Sequence, residues 1–150
     1  MIDEAIDKLA RIIIEYPDRF QSISEAKFSF RPSPRKWSKK EILGHLIDSA
    51  TNNHQRFIRA QFEEKPEIYY DEDMWVQYNY YNELSSKQLI HFWTAYNKQL
   101  VEIMKRIPAE NLLKECKMRD GRYVTLDYLV NDYVVHLQHH LDQIFGSEDF

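Results

Sequence analysis

The sequence predicts an all-α protein, specifically a four-helix bundle. Glycine is scarce, because 3 glycines in 150 residues leave few of the turns and bulges that sheets and barrels use. Apolar residues recur at helical spacing in four long stretches, and a serine or threonine N-cap precedes three of them. The length suits a single domain, residues 1–150, which is large enough to bury its own core.

The first two helices are bounded by a proline and by a cap. Apolar spacing predicts the first helix over 2–15, and Pro17 is expected to break or restart it. Ser38 followed three residues later by Glu41 forms a capping box, so the second helix begins at the next residue. It is expected to run to about Glu64, since a proline follows shortly afterwards.

The second half of the chain contains two long helices and two connections. A long loop is predicted over 65–84, with a turn of helix near its middle, and such loops are often functional. The third helix covers 86–106. Residues 114–124 contain Asp120-Gly121, a hairpin-type turn, which predicts a small two-stranded hairpin. The fourth helix covers 126–145 and ends at a glycine.

The composition excludes several classes of protein. The formal net charge is -4, whereas nucleic-acid-binding proteins usually carry a basic excess. No run of 18 apolar residues exists, so we expect no membrane span. The chain begins with acidic residues, unlike a signal peptide. Its one cysteine, Cys116, cannot form an internal disulfide, which favours a reducing, cytoplasmic location.

The second helix carries polar residues at spacings that place them on one stripe. These residues are His45, Asp48, Ser49, Asn52 and Arg56. Apolar residues lie beside the stripe and supply the packing. Two interpretations remain open: a solvent-exposed face, or the wall of an internal pocket.

The fourth helix adds a pair of histidines at a spacing that suits a metal ion. His136 and His140 are one helical turn apart, so both rings can point at one atom. His45 on the second helix is the candidate third ligand. A site with three protein ligands leaves a position open for water or substrate, as catalytic metal sites require. His139 is a rival ligand, but its position favours a surface or supporting role.

Four segments resemble one known family. Trp37-Ser38 with 41–49 (EILGHLIDS) resembles the W-[ST]…H-[LV]-x-D-[AS] signature of the DinB-like superfamily. Three further segments are similar to its YfiT-like branch: Asn52…Arg56-Phe57, 70–75 (YDEDMW) and 133–140 (YVVHLQHH). Together the segments span about residues 30 to 146, in order. The resemblance implies a four-helix bundle of the DinB/YfiT type.

The resemblance also implies a function and a cofactor. In that family the metal sits on one histidine of the second helix and an H-x-x-x-H pair of the last, which are His45, His136 and His140 in this sequence. A divalent ion is implied, with zinc or nickel favoured, and often a homodimer. The YfiT-like branch includes bacillithiol S-transferases, so a low-molecular-weight thiol is the implied co-substrate.

The polar residues near the histidines have predicted roles in such a thiol transferase acting on small electrophilic molecules. Asp48 would orient a histidine ring or act as a base. Arg56 would anchor a carboxylate of the thiol, since its planar fork suits bidentate contacts. Asn52, Trp75 and Tyr133 would line the pocket.

Two alternatives remain open from the sequence. The same site would serve a hydrolase, in which an activated water attacks an ester or amide. The chain would otherwise be a non-catalytic helical protein that binds a partner or ligand, with structural histidines. Bound metal would distinguish either enzyme from the non-catalytic binding protein. A requirement for a thiol would distinguish the transferase from the hydrolase.

Overall fold

A computed structural model describes residues 1–146 of the chain. Their elements are, in order, α1 (Asp3–Gln21), α2 (Glu25–Phe28), α3 (Lys39–Arg59), α4 (Glu72–Asn79), a 3-10 helix (Tyr81–Glu83), α5 (Ser86–Lys105), a second 3-10 helix (Ala109–Leu113), β1 (Glu115–Lys117), β2 (Tyr123–Thr125) and α6 (Leu126–Phe145). The long helices α1, α3, α5 and α6 form the bundle, which confirms the predicted all-α fold. None of the described helices has the length and apolar character that a membrane span needs.

The bundle is held together by an apolar core with an aromatic centre. α1 packs against α5 and α6, and α3 packs against the same two helices. The fully buried Phe20 ring lies 5.3 Å from Trp93 and 6.2 Å from Phe28, with Phe145 at 5.1 Å. Edge-to-face and offset ring pairs of this kind add to the stabilisation from burial alone. The core thus joins α1, α2, α5 and α6 around four rings.

Pro17 does not interrupt α1, so the prediction that it breaks or restarts the helix was wrong. α1 is continuous to Gln21 with the proline inside it. Proline removes one backbone hydrogen bond and costs roughly 3 kcal/mol inside a helix. Tyr16 and Phe20 on either side of it are buried in the core, and burying two large rings offsets a cost of that size.

α3 is shorter than predicted, because it ends at Arg59 rather than near Glu64. The chain turns after the helix, and Lys65 adopts a left-handed conformation with φ of 42°. The residue before a proline avoids the right-handed helical region, so the helix cannot continue through Lys65. The turn brings the carbonyl of Ile68 back to Arg56, whose Nε and Nη2 donate to it at 3.0 and 2.6 Å.

The predicted long loop after α3 contains a short helix of its own. Asp71 caps α4 by accepting a hydrogen bond from the Met74 backbone N–H at 3.0 Å. The helix ends where Tyr80 takes a left-handed conformation, with φ of 54°, and the next residue, Tyr81, is buried. The connection therefore folds back onto the bundle and α4 packs on α3.

The hairpin before α6 forms as predicted. β1 and β2 pair antiparallel, with Cys116 opposite Val124, and Gly121 supplies the positive φ of 86° that the turn needs. The Lys117 N–H donates to the Pro66 carbonyl at 3.0 Å. The hairpin is therefore attached to the connection that follows α3.

Gly44 allows a close approach between this connection and α3. A Cβ placed at Gly44 would lie 2.1 to 2.6 Å from three atoms of the Tyr81 ring. No real Cβ tolerates such distances, so the ring packs directly on the helix backbone only because residue 44 has no side chain.

We expect Gly44→Ala to destabilise the protein by about 1–3 kcal/mol, because the new methyl overpacks against the ring. Alanine would otherwise stabilise a helix interior by up to about 1 kcal/mol relative to glycine. Urea unfolding followed by circular dichroism measures the change. In a Tyr81→Ala background the same substitution should be neutral or stabilising. A Gly44→Ala variant as stable as the parent would contradict the packing argument.

Candidate metal centre

The polar stripe on α3 faces the protein interior. All its members are less than a tenth exposed: His45 0%, Asp48 2%, Ser49 4%, Asn52 3% and Arg56 8%. Buried polar groups need partners or a function, because burying them unpaired is costly. Of the two interpretations that the sequence left open, the structure supports the internal pocket.

His45, His136 and His140 converge on one point between α3 and α6. The Nε2 atoms of His45 and His136 lie 3.4 Å apart, and those of His136 and His140 lie 3.0 Å apart. A ligand atom from each of the three residues lies within 4.8 Å of the others. The structure thus assembles the three histidines that the sequence selected.

This arrangement fits a small divalent cation. Ligand nitrogens at about 2.0–2.1 Å around a tetrahedral ion lie roughly 3.3 Å from one another, close to the observed Nε2 separations. Hydrogen bonding alone does not satisfy the cluster, because His136 Nε2 has either one proton or one lone pair for two neighbours. A central cation accepts all three lone pairs at once.

The electrostatics keep these rings neutral, which is the protonation state that a metal ligand requires. Burial, with the neighbouring rings, lowers the pKa of His45 to about 3. Burial also lowers the pKa of His136 to about 4, and shifts the pKa of His140 downward. Near neutral pH all three imidazoles are therefore uncharged ligands.

The start of α3 fixes the position of His45. Ser38 Oγ accepts from the Glu41 N–H at 3.1 Å, and Glu41 Oε1 accepts from the Ser38 N–H at 3.0 Å. This completes the predicted capping box. Arg31 donates to both Glu41 carboxylate oxygens at 2.8 and 2.7 Å. The Trp37 ring lies 5.0 Å from the ring of His45, so the segment before the helix covers the cluster.

α6 holds the other two histidines and one polar neighbour. Its first turn is capped by Thr125, whose Oγ1 accepts from the Tyr128 N–H at 3.1 Å. His140 Nδ1 donates to Gln143 Oε1 at 2.7 Å. His139 is exposed and lies outside the cluster; its Nε2 is 3.4 Å from Gln143 Nε2. The rival ligand thus takes a surface position.

Asp48 lies one turn after His45 and is held by the connection. Its Oδ1 accepts from the Tyr81 hydroxyl at 2.5 Å and from Asn79 Nδ2 at 3.3 Å. Its Oδ2 is buried without a hydrogen-bond partner. Burial raises the pKa of Asp48 to about 7, although the Tyr81 hydrogen bond opposes the shift. A carboxyl group with such a pKa can both hold and accept a proton near neutral pH.

The structure does not link Asp48 to the histidine ring. His45 Nδ1 has no hydrogen-bond partner among the described residues. The predicted role of Asp48 in orienting that ring therefore has no supporting contact, whereas its predicted role as a base stays a prediction.

A cleft of about 500 Å³ opens beside His136. α3, α6, the start of α4 and the hairpin all contribute to its walls. The lining residues are Ser49, Asn53, Arg56, Tyr69, Tyr70, Asp71, Glu72, Asp73, Met118, Arg119, Asp132, Tyr133 and His136. The cleft joins the histidine cluster to solvent and has the volume of a small-molecule site.

Two of the four predicted substrate-binding residues line this cleft. The Tyr133 hydroxyl donates to Asn97 Oδ1 at 2.6 Å, so it is already paired. The Nε and Nη2 groups of Arg56 donate to the Ile68 carbonyl, and its Nη1 donates to Asn53 Oδ1 at 3.2 Å. A guanidinium has five N–H donors, so two of the five remain for a ligand.

The other two predicted substrate-binding residues do not line the cleft. Asn52 is buried and donates to the Asp48 carbonyl within α3 at 2.9 Å. Trp75 is half-buried, and its ring packs edge-on against the lining residue Tyr70 at 5.5 Å. Trp75 therefore packs behind the wall of the cleft, and substrate binding by Asn52 and Trp75 stays a prediction.

Three neighbours of the site had no role assigned from the sequence. Gln143 lies three residues after His140, so helical spacing already places it on the same face as that histidine. Tyr81 and Asn79 reach Asp48 from the connection, where no regular spacing indicates contact. The mid-helix Gly44 was the one available signal, because a glycine there often marks a close approach.

Comparisons with known proteins agree with the fold. Residues 9–144 match the family model of the DinB superfamily. A protein of Halalkalibacterium halodurans, provisionally named a metal-dependent hydrolase, is 23% identical over 124 residues, covering 82% of this chain and 72% of the relative.

Two solved structures share the architecture. YfiT from Bacillus subtilis, described as a probable metal-dependent hydrolase with an unusual four-helix bundle topology, has a TM-score of 0.81 at 20% identity, covering 96% of this chain and 86% of YfiT. A mycothiol-dependent maleylpyruvate isomerase has a TM-score of 0.72 at 15% identity, covering 95% and 60% of the two chains. At such identities the likeness establishes the fold.

The buried Asp48 carboxyl predicts a pH-dependent stability in metal-free protein. Its pKa is about 7 in the folded chain and about 3.9 in the unfolded chain. Between these values the folded state binds the extra proton, so stability falls as pH rises. Asp48→Asn removes this loss, and its stability relative to wild type should increase by about 2.5 kcal/mol from pH 5 to pH 8.

Urea unfolding in the presence of a chelator measures this difference at each pH. Asp132→Asn, at an exposed position on the cleft, is the matched control and should follow the wild-type pH dependence. Parallel curves for wild type and Asp48→Asn would show that the carboxyl is ionised in the folded protein throughout this range.

Proposed function

This protein belongs to the DinB superfamily, as its motifs indicated, and we propose that it is a divalent-metal-dependent thiol S-transferase. The observation that carries the proposal is the convergence of three neutral Nε2 atoms beside a cleft. His45, His136 and His140 would hold the ion, with zinc or nickel favoured. When bound, the ion supplies a positive charge that lowers the pKa of a thiol or water near it.

The chain's own residues would handle the proton and orient the substrates. As sulfur bonds to the electrophilic carbon and the leaving group departs, the thiol proton passes to Asp48 Oδ2. Tyr81 and Asn79 hold the opposite oxygen, so the accepting atom keeps one orientation. Arg56 offers its two remaining donors to an anionic group of the thiol.

The choice of a thiol rests on two supports. The YfiT-like motifs resemble those of bacillithiol S-transferases, and a structural neighbour, the maleylpyruvate isomerase, depends on mycothiol. A cleft of about 500 Å³ has room for a small thiol and a small electrophile together. The homodimer, the cytoplasmic location, the small-molecule substrate and the absence of a nucleic-acid partner stay predictions from the sequence.

Hydrolysis of a small ester or amide is the second candidate. It is favoured by the names of the Halalkalibacterium relative and of YfiT. In that reaction Asp48 would take its proton from water rather than from a thiol. The site residues would be the same, so the co-substrate requirement distinguishes the two reactions.

Metal content is the first test of the proposal. Protein purified without an affinity tag or chelator should contain about one divalent ion per chain by elemental analysis. His45→Ala and His136→Ala should lose it, because two imidazoles remain. His54→Ala on α3 is the matched control and should retain it.

Circular dichroism verifies that each variant is folded. Wild-type protein that neither carries metal nor rebinds zinc or nickel would overturn the enzyme assignment and favour the non-catalytic binding protein.

Thiol dependence is the second test. Metal-loaded protein is mixed with 1-chloro-2,4-dinitrobenzene and with bacillithiol, cysteine, glutathione or coenzyme A in turn. We expect conjugation above the uncatalysed rate with at least one thiol, a loss of about 100-fold or more in His136→Ala, and wild-type rates in His54→Ala. Metal-dependent cleavage of p-nitrophenyl acetate without any thiol, and no conjugation, would instead support the hydrolase.

A further inference from the structure

We propose that Gln143 is a positioning residue that fixes the tautomer of His140 and thereby prepares its Nε2 lone pair for a cation. The inference rests on the proposed function, since it concerns the same three-histidine site. It assigns a role to a residue outside the ligand set, and it predicts which protons the metal-free histidines carry.

The hydrogen bond between the two side chains has only one consistent direction. Gln143 Oε1 lies 2.7 Å from His140 Nδ1, and an amide oxygen can only accept. The proton therefore sits on His140 Nδ1. A neutral imidazole has a single ring proton, so with that proton on Nδ1 the Nε2 atom of His140 carries a lone pair.

The other end of the amide is consistent with this orientation. Gln143 Nε2 lies 3.4 Å from His139 Nε2, which can accept its N–H. Turning the amide around would point an N–H at His140 Nδ1 and move the ring proton to Nε2, where it would block a cation. The amide thus selects the tautomer that leaves Nε2 open.

The tautomer of His140 determines that of His136 in the metal-free protein. Their Nε2 atoms lie 3.0 Å apart, and without a cation such a contact is favourable only when one of the two atoms carries a proton. Because His140 Nε2 has none, the proton belongs to His136 Nε2. Cation binding then leaves His140 unchanged, whereas His136 loses its Nε2 proton to water and takes one up at Nδ1.

Gln143 is distinctive among the side chains near the cluster. His45 Nδ1 is buried without a partner, and among the described residues no hydrogen bond to His136 Nδ1 is found. Among the described residues, His140 is the one of the three histidines whose Nδ1 has a hydrogen-bond acceptor. Outer partners of this kind hold ligating histidines in place, and their loss typically weakens metal binding 10–100-fold.

Two measurements test the proposal, and the first needs no metal. Long-range ¹H–¹⁵N spectra of histidine-labelled, chelator-treated protein report the tautomer of each ring. We expect the Nδ1–H form at His140 and the Nε2–H form at His136 in wild type. In Gln143→Leu, His140 should shift toward the Nε2–H form. An unchanged His140 tautomer in Gln143→Leu would overturn the proposal even if wild type binds metal.

The second measurement is zinc and nickel affinity, by competition with a chromophoric chelator. Gln143→Leu should bind about 10–100-fold more weakly, and Gln143→Glu, which keeps an acceptor, should bind at least as tightly as wild type. Gln138→Leu is the matched control on α6, because Gln138 contacts Tyr16 and Asp142 rather than the cluster. An equal loss in Gln138→Leu, or no loss in Gln143→Leu, would overturn the proposal.

The two proposals fail in distinguishable ways. Wild-type protein that binds no metal would overturn the proposed function, while the tautomer spectra of the same protein still decide the role of Gln143.

Discussion

The structure depends on the burial of one polar helix face. A bundle of four long helices normally buries apolar stripes, yet α3 turns His45, Asp48, Asn52 and Arg56 inward. Unpaired polar groups at such positions would cost several kcal/mol together. The fold meets this cost locally: Arg56 and Asp48 receive partners from the connection after α3, and Asn52 bonds within the helix. The connection is thus required by the chemistry of the helix that precedes it.

The atoms that stay unpaired on this face are informative. On α3, His45 Nδ1 and Asp48 Oδ2 are buried without partners, three residues apart. The surrounding polar groups are satisfied, so these exceptions lie where the chain brings its histidines together. A site that must exchange protons or ligands cannot have every atom committed to internal hydrogen bonds.

Regular spacing made part of this site predictable. The ligand set follows from i, i+4 spacing on one helix and from motif order, and the three caps follow from serine and threonine positions, so the bundle and the cluster could be predicted. Tyr81 could not, because its approach to Gly44 depends on a left-handed turn at Tyr80. The continuation through Pro17 and the end of α3 at Arg59 depend on tertiary packing, which local propensity does not describe.

The inner wall of the cleft is formed by packed helices, whereas its outer wall is formed by the connection and the hairpin. Its inner wall belongs to the bundle, through His136, Tyr133 and Arg56, whose positions are fixed by packed helices. Its outer wall belongs to the connection and the hairpin, through 69–73 and Arg119, which donates to the Tyr70 carbonyl at 2.7 Å. Chemistry that needs fixed geometry suits rigid helices, whereas substrate selection suits segments that tolerate change. A bundle of this kind can therefore keep one metal chemistry while the connection alters what enters the cleft.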